Sequence, residues 1–322
     1  DCIGRSNKFA LQKNPQSSSG NSSVNSLNTF YLSNTMADLL FQLRNSFWVG
    51  NFEEAISEAK SVAHPNLKIE CDFYCMRSEL ELKTTNINKL DKSLPSALQA
   101  VQLLAGHRNG SMSEEVVKTT LESWMEDENT AENALVQIIA ATLYNRLGDW
   151  NKALTVLRSE ATLEHLALQA QMLVQMHRSD KATQVLTKMQ QMDDDSTLTE
   201  LVKGWICCGS GQQNKREEGL YAFEELGAKF GRTVLILNNI AACHIALGNY
   251  SEADRCLEEA FENTPSAETY INAIVSAQLQ NKQKDSVIMY IDNLTKLDIN
   301  HPWLLERKKK ENEFDAAAQN FA

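Results

Sequence analysis

Apolar residues recur at helical spacing in two short stretches between residues 234 and 265, VLILNNIAACHIALGNYSEADRCLEEAFENTP. Gly248 stands between these stretches, at a place where a helix commonly ends on a residue with positive φ. Ala253 and Leu257 lie four residues apart and therefore share one face of the second stretch. Pro265 follows that stretch, and proline cannot continue a helix. The pattern predicts two antiparallel helices joined by a tight turn.

The same pattern occurs 100 residues earlier in the chain. At this offset Ala141, Tyr144, Gly148, Trp150, Ala153 and Leu157 correspond to Ala241, His244, Gly248, Tyr250, Ala253 and Leu257. The offset is close to three periods of about 34 residues, the length of a tetratricopeptide repeat. We therefore predict an all-α fold, a right-handed α-solenoid (superhelix) of tetratricopeptide-like helical hairpins over residues 36–322. A final helix is expected from His301-Pro302 to about Gln319, and we predict that it caps the open end of the array.

Two segments fit the repeat pattern poorly. Residues 1–35 are rich in Ser and Asn and have little apolar periodicity, so we expect a disordered leader that is not native, with Met36 as the true start. Near residues 86–94 the pattern predicts only a short, degenerate helix, which ends at Pro95. The repeat boundaries over residues 68–127 therefore stay open.

The composition is that of a globular, mostly helical protein, with 43% hydrophobic and 23% charged residues. The 31 basic and 42 acidic side chains give a net charge of −11, which disfavours binding to nucleic acid or to an anionic membrane surface. No run of about 18 apolar residues is present, so we expect no direct membrane insertion. The seven cysteines form no CxxC pair, and their odd number favours reduced thiols in a cytosolic protein over a disulfide framework.

No motif of a known catalytic or metal site stands out. The sequence has no P-loop, no GxGxxG after a predicted strand, no HExxH and no GxSxG. Cys71 and Cys75 lie one helical turn apart, but no second pair is near, so we interpret them as small buried side chains. The run 193–195, three aspartates, lacks the glycine and the distal glutamate of a calcium loop, and we interpret it as charge at a helix N-terminus. We expect no enzyme, no cofactor and no metal.

The first helix of each pair lines the concave face of a superhelix of such repeats. The predicted partner-binding groove consists of Arg44, Phe47, Trp48, Thr142, Asn145, Arg146, Gln171, Val174, Asn238, Ala242, Ile245, Asn272, Ser276 and Leu279. This set is rich in amides and apolar side chains, and its two cations are too few to capture a C-terminal carboxylate. It suits an extended backbone or a hairpin, because amides satisfy polar groups and apolar side chains bury anchors. The alternative is that part of the set is buried between repeats.

Four stretches of the chain form a recognisable series, LFQLRNSFWVGNFEEAISEA (residues 40–59), MQQMDDDSTLTELVKGW (189–205), LNNIAACHIALGNYSEAD (237–254) and HPWLLERKKKENEFD (301–315). Together they resemble the epsilon subunit family of coatomer, the coat of Golgi-derived COPI vesicles. The resemblance covers residues 36–322 with the expected order and spacing, and it is weakest over residues 83–110.

The resemblance implies a non-enzymatic coat subunit. Its repeats would hold the C-terminal domain of the alpha subunit of coatomer by wrapping around an extended, hairpin-like segment, and the other coatomer subunits would be further partners. The protein would be cytoplasmic and peripheral on Golgi membranes and COPI-coated vesicles, recruited through the coat and its small GTPase. Its role would be to stabilise the alpha subunit in retrograde Golgi-to-ER and intra-Golgi transport.

Two other functions also fit a repeat array. One is a generic tetratricopeptide-repeat peptide adaptor or co-chaperone, and the scarcity of cations in the predicted groove argues against it. The other is a regulatory domain of an enzyme complex, and the absence of a second domain does not exclude such a partnership.

Overall fold

Seventeen α-helices make up the part of the chain that the computed structural model describes, which comprises residues 38–84, 89–159 and 162–319. The helices are α1 (Phe41–Trp48), α2 (Phe52–Ser61), α3 (Lys68–Glu81), α4 (Ser96–Arg108), α5 (Glu114–Glu126), α6 (Glu128–Ala131), α7 (Ala134–Arg146), α8 (Trp150–Val156), α9 (Leu163–Gln175), α10 (Ser179–Asp193), α11 (Thr197–Cys208), α12 (Gln213–Phe230), α13 (Val234–Leu247), α14 (Tyr250–Glu262), α15 (Ala267–Leu279), α16 (Lys284–Leu297) and α17 (Pro302–Gln319). Short 3-10 helices, Pro65–Leu67 and Leu157–Ser159, follow α2 and α8. Because no strand is present within these ranges, the predicted all-α class is confirmed.

The helices follow one another as hairpins, each of which packs on the next. The pairs α7–α8, α9–α10, α11–α12, α13–α14 and α15–α16 form five such hairpins. The first helix of each of these pairs also packs against the first helix of the next pair. Before them, α1, α2 and α3 begin the array, and α4 joins α3 to α7. This arrangement is the predicted α-solenoid, with the first helices of the pairs in one layer.

Two hairpin turns, 100 residues apart, have the predicted conformation. Gly148 has a φ of +77° and Gly248 a φ of +81°, in the left-handed region that is accessible to glycine without a steric penalty. Trp150 and Tyr250 then begin α8 and α14. The backbone therefore confirms the internal repeat that the sequence pattern predicts.

Close contact between the two helices of a pair depends on small residues. Ala153 and Ala253 occupy equivalent positions in α8 and α14, and both are fully buried. In α11, a Cβ atom at Gly204 would lie 2.5 Å from the ring of Phe223 on α12. The two helices can approach at this point because Gly204 has no side chain.

Of the short helix that the sequence predicts near residues 86–94, residues 86–88 lie outside the described residues, and the described part differs from the prediction. Over the described residues 89–95 the chain makes a turn instead. Asp91 Oδ1 accepts hydrogen bonds from the backbone N–H of Ser93 at 2.9 Å and from its hydroxyl at 2.6 Å. An aspartate turn of this kind offers the backbone an alternative to helical hydrogen bonds, which explains why no helix forms here.

The terminal helix α17 has the predicted bounds but not the predicted packing. None of its residues is buried. On the preceding helix α16, Ile288 and Met289 remain about half exposed, so α17 does not cap the array in the predicted way. The reason lies in its charges, because residues 306–311 present acidic and basic side chains on all sides and leave no apolar stripe to bury.

Two expectations concern the termini and the membrane. The predicted leader, residues 1–35, lies outside the described residues, and the described residues from Leu40 onward form one compact unit. Within the described ranges, no helix combines the length and the apolar character that crossing a lipid bilayer requires.

Two contacts join parts of this unit that are far apart in sequence. Helix α1 packs against α11, and the hydroxyl of Thr233 donates a hydrogen bond to the carbonyl oxygen of Val49. At the other end, Arg146 Nη2 on α7 donates to Asp298 Oδ2 after α16 at 2.8 Å. The layer of first helices is therefore tied to the chain's own N-terminal hairpin and to its C-terminal loop.

Candidate partner-binding groove

A depression of about 330 Å³ opens on the layer of first helices. Its lining comes from the C-terminal ends of α9 and α11, from the middle of α13, and from one residue of α12. The lining residues are Gln171, Val174, Gln175, Trp205, Cys208, Gly209, Phe223, Asn239 and Ala242. None of these nine residues carries a formal charge, so the depression suits an uncharged ligand group.

Trp205 forms a wall of the depression, and Asn239 holds its orientation. The indole Nε1 of Trp205 donates to Asn239 Oδ1 at 3.0 Å, and Asn239 Nδ2 donates to the carbonyl oxygen of Leu235 at 3.0 Å. Both ends of the Asn239 amide are thus in use, and the indole N–H is satisfied. Phe223 reaches the same depression from α12, because the facing Gly204 has no side chain. The wall is therefore built from residues with fixed positions.

The lining repeats with the period of the array. Two sets of residues are each spaced one repeat apart, namely Gln171, Trp205 and Asn239, and Val174, Cys208 and Ala242. Since one tetratricopeptide repeat is about 34 residues long, each set occupies one position in three successive first helices. Six lining residues were absent from the predicted groove. They are Gln175, Gly209, Phe223, Cys208, Trp205 and Asn239. The period points to Trp205 and Asn239 when it is counted from Gln171, and to Cys208 when it is counted from Val174.

Amide side chains stand at one side of the depression. Asn145 Nδ2 on α7 donates to Gln175 Oε1 at 3.3 Å. Asn145 Oδ1 is buried and finds no hydrogen-bond partner among the described residues. Gln171 is exposed to solvent at the same side. These amides can bond to main-chain groups of a bound segment.

The structure brings together four of the residues predicted for the groove. Gln171, Val174 and Ala242 line the depression directly. Asn145 reaches it through its hydrogen bond to Gln175. These residues come from α7, α9 and α13, so the expected meeting of successive first helices is observed here.

Three predicted groove residues are instead used between repeats. Asn238 is 6% exposed, and its Nδ2 donates to Thr269 Oγ1 at 2.8 Å. Asn272 Nδ2 donates to the carbonyl oxygen of Asn238 at 3.2 Å, and the fully buried Ser276 donates its hydroxyl to Asp254 Oδ1 at 2.8 Å. For these residues the alternative interpretation holds, because their polar groups join α13, α14 and α15.

The two predicted cations of the groove both have acidic partners. Arg44 Nη2 donates to Glu70 Oε1 at 2.6 Å, and Arg146 pairs with Asp298. Arg146 Nε also donates to His107 Nδ1 at 3.4 Å. Neither arginine adds a net positive charge to the groove, which makes it more nearly neutral than the sequence suggests.

The remaining predicted residues lie in several environments. Phe47 is partly buried and packs against the core, with its ring centroid 5.2 Å from that of Tyr74. Trp48 and Ile245 pack beside the hydrophobic core of α9–α15, and the buried Nε1 of Trp48 has no partner among the described residues. Thr142 donates its hydroxyl to its own helix, and Leu279 is about half exposed at the end of α15.

A separate group of polar side chains is buried between α3 and α9. Tyr74 donates to Glu164 Oε2 at 2.9 Å, and Arg77 Nη1 donates to Glu164 Oε1 at 2.6 Å. Burial raises the pKa of the Tyr74 hydroxyl well above its ordinary value, and burial lowers the pKa of the neighbouring His165. Because the carboxylate, the hydroxyl and the guanidinium pair with one another, we interpret this group as a structural tie.

Side chains that can ligate metal ions occur throughout the described ranges. Nowhere within them do three or more His, Cys, Asp or Glu side chains gather so that they could hold a metal ion.

The family model and the curated relatives give a consistent result. The model of the coatomer epsilon subunit family matches residues 36–322. Coatomer subunit epsilon-1 of Arabidopsis thaliana is 32% identical over 292 residues, which are 88% of this chain and 98% of the plant protein. Coatomer subunit epsilon of Caenorhabditis elegans is 31% identical over 293 residues, 88% of this chain and 99% of the worm protein. A solved tetratricopeptide repeat protein of Parabacteroides merdae superposes with a TM-score of 0.47 at 14% identity, covering 81% of this chain and 92% of its own.

Proposed function

The chain belongs to the coatomer epsilon subunit family and is a non-enzymatic subunit of the COPI coat, and we propose that it binds and stabilises the alpha subunit of coatomer. The contact we propose is with the C-terminal domain of the alpha subunit. The site is the groove formed by the first helices of the repeats, centred on the depression at Trp205. Contacts with the remaining coatomer subunits would follow from assembly of the coat.

The observation that supports this proposal is the neutral, periodic lining of the groove. Two sets of residues, each spaced one repeat apart, present amides, an indole and small apolar side chains along three successive first helices. An extended segment runs across such a layer and offers main-chain N–H and C=O groups at regular intervals. Amides pair with these groups, and apolar side chains of the segment fill the depression between them.

The absence of an uncompensated cation in this described part of the groove also favours a main-chain ligand. A site for acidic peptide tails needs several Lys or Arg side chains that are free to pair with carboxylates. Here Arg146 is occupied by Asp298, and the lining of the depression itself has no charged residue. A neutral internal segment of a partner matches this site better than a peptide terminus.

The proposed cellular role follows from the coat. The protein would act in the cytoplasm, held on Golgi membranes and COPI-coated vesicles through the assembled coat and without inserting into the membrane. By stabilising the alpha subunit it would support retrograde Golgi-to-ER and intra-Golgi transport.

Binding of the alpha subunit to the full chain tests the proposal. The affinity is measured by calorimetry with the complete alpha subunit, and again with an alpha subunit that lacks its C-terminal domain. We expect tight one-to-one binding to the first and none to the second. A synthetic peptide with an acidic, free C-terminus serves as the control ligand and should not bind.

Thermal unfolding gives a second measurement of the same proposal. A partner that binds only the folded state raises the midpoint of unfolding by mass action, by roughly 2.7 kcal/mol of stabilisation when its free concentration is about 100 times the Kd. No binding of the alpha subunit at tens of micromolar, together with an unchanged midpoint, would refute the proposed function.

A further inference from the structure

We propose that the depression at Trp205 takes one uncharged, apolar side chain of the bound alpha-subunit segment, and that Asn239 is the positioning residue for this subsite. This inference rests on the proposed function, and it specifies the chemistry that the partner must present. The residues that carry it are Val174, Trp205, Phe223 and Ala242, which form the apolar lining, and Gln171 at the side exposed to solvent.

The size of the depression fits one large side chain and its flanking main chain. Its volume is about 330 Å³, whereas an enclosed apolar cavity of about 150 Å³ already binds benzene. A leucine, isoleucine, methionine or phenylalanine side chain therefore fits with room for the adjoining backbone. Two bulky side chains in succession along an extended segment point to opposite sides, so only one of them enters.

The lining selects against charge. An aspartate, glutamate or lysine in the depression would lose its hydration, and no lining side chain of opposite charge is present to compensate. An apolar side chain loses no such interaction and removes the half-buried indole surface of Trp205 from water. The subsite therefore distinguishes an apolar anchor from a charged one.

Amides beside the depression provide for the main chain of the anchor residue. Gln171 is exposed, and no hydrogen bond engages its side chain within the described part of the structure. Gln175 accepts one hydrogen bond from Asn145, which leaves its NH₂ group available as a donor. A main-chain carbonyl and a main-chain N–H of the partner can thus be satisfied on either side of the inserted side chain.

Asn239 acts through Trp205. Its Oδ1 accepts from the indole N–H at 3.0 Å while its Nδ2 is held by the carbonyl oxygen of Leu235 at 3.0 Å. Replacement by leucine removes the acceptor for the indole N–H and frees the ring to rotate. An Asn239→Leu variant should therefore weaken alpha-subunit binding and change the near-ultraviolet circular dichroism of Trp205, whereas Asn239→Gln should restore part of both.

The main test introduces the same charge inside and outside the subsite. Val174→Asp places a carboxylate in the depression, and Val116→Asp places one on α5, where Val116 is 48% exposed and outside the groove. We expect Val174→Asp to weaken binding of the complete alpha subunit by roughly 100-fold, as for a hot-spot residue. Val116→Asp should change the affinity by less than about threefold, the range of surface substitutions.

A milder variant guards against a folding defect. Gln171→Glu is nearly isosteric and lies on an exposed position, so it should leave thermal unfolding unchanged. We expect roughly tenfold weaker binding from the charge that it places beside the subsite. If Val174→Asp does not fold and Gln171→Glu binds the alpha subunit as tightly as the parent chain does, the inference is wrong.

Alkylation of Cys208 locates the bound segment independently. Cys208 lines the depression, whereas its neighbour Cys207 does not, so Cys207 serves as the internal control when each thiol is compared with and without the partner. Iodoacetamide labelling is followed by tandem mass spectrometry, with and without the alpha subunit. Protection of Cys208 but not of Cys207 is expected.

The outcomes separate the two proposals. If the parent chain does not bind the alpha subunit, the proposed function fails and this inference fails with it. If the parent binds tightly but Val174→Asp binds equally well and Cys208 stays reactive, the proposed function stands and the subsite is refuted.

Discussion

The ion pair between Arg146 and Asp298 allows a quantitative prediction about how the array is closed. The two residues are 152 positions apart, and the pair joins α7 to the loop after α16. Side-chain exposure is 13% for Arg146 and 3% for Asp298. Replacing Arg146 by methionine keeps most of the side-chain volume but removes the partner of a buried carboxylate.

The expected cost follows from this burial. Breaking a buried ion pair by removing one partner costs about 3–5 kcal/mol, because the remaining charge is left without compensation. The lower value corresponds to an increase of more than about 100-fold in the equilibrium constant for opening. The cost should appear locally, since Asp298 also accepts the backbone N–H of Asn300 through Oδ1 at 3.2 Å and that of His301 through its carbonyl oxygen at 3.1 Å.

Native-state hydrogen exchange measures this opening directly. The exchange rates of the backbone amides of Asn300 and His301 report the loop, because both are hydrogen-bonded to Asp298. In Arg146→Met we expect these amides to exchange at least about 100-fold faster than in the parent chain. Amides of α11 should keep their rates, because they belong to a different part of the array.

Two further variants decide whether uncompensated charge is the cause. In the double variant Arg146→Met, Asp298→Asn, the amide oxygen can still accept the N–H of Asn300 while the charge is gone, so most of the protection should return. Arg178→Met breaks an ion pair with Asp180 in which both side chains are more than half exposed, and it should leave exchange unchanged. If Arg146→Met alters the two amides by less than about threefold, or if the double variant exchanges as fast as the single one, the reasoning is wrong.

Three further predictions concern stability. Gly204→Ala places a Cβ 2.5 Å from the Phe223 ring and should cost about 1–3 kcal/mol, measured by urea unfolding. Gly248→Ala has no atom within 4 Å of the new Cβ, so its cost of about 1–2 kcal/mol comes from the φ of +81° alone. Burial lowers the pKa of His107 and of His165, so the folded state favours their neutral forms; stability is complete above about pH 6.5 and decreases as the pH falls below it. The midpoint of thermal unfolding should therefore be lower at about pH 5.5 than at about pH 7.5.

A control variant or a contradicting outcome is defined for each of these predictions. Gly211→Ala adds a Cβ that also meets no atom within 4 Å, at a glycine without positive φ, and should be neutral. An unchanged stability of Gly204→Ala would mean that the Phe223 ring moves aside freely. A His165→Gln variant should show a weaker dependence of the unfolding midpoint on pH over the same range, and an unchanged dependence would assign the effect to other groups.

Much of the fold follows from local rules that operate over a few residues. Helical spacing of apolar residues places the helices. Gly148 and Gly248 end two of them, because the left-handed turn conformation is favourable for glycine. The period of about 34 residues then predicts that equivalent positions line up in successive first helices. In the structure, three residues of the predicted set, Gln171, Val174 and Ala242, line one depression.

The same period, applied consistently, would have found more of the site. Trp205 and Asn239 follow Gln171 at intervals of one repeat, but a tryptophan inside a helix fits core packing equally well. The exposure of the Trp205 ring depends on the residues that face it. Gly204 and the ring of Phe223 decide how far the depression reaches between α11 and α12.

Other features depend on contacts between residues that are far apart in the chain. Asn238 and Ser276 have the spacing of groove residues, yet hydrogen bonds to Thr269 and Asp254 bury them between neighbouring repeats. Arg146 has the pattern of a groove cation, but Asp298 occupies it. Periodicity states which face of a helix a residue occupies, whereas the presence of a partner on that face is fixed only when the array closes and brings distant residues together. Because the free energy of a buried polar group depends on whether such a partner exists, its role was decided by the folded arrangement and could not be read from local spacing.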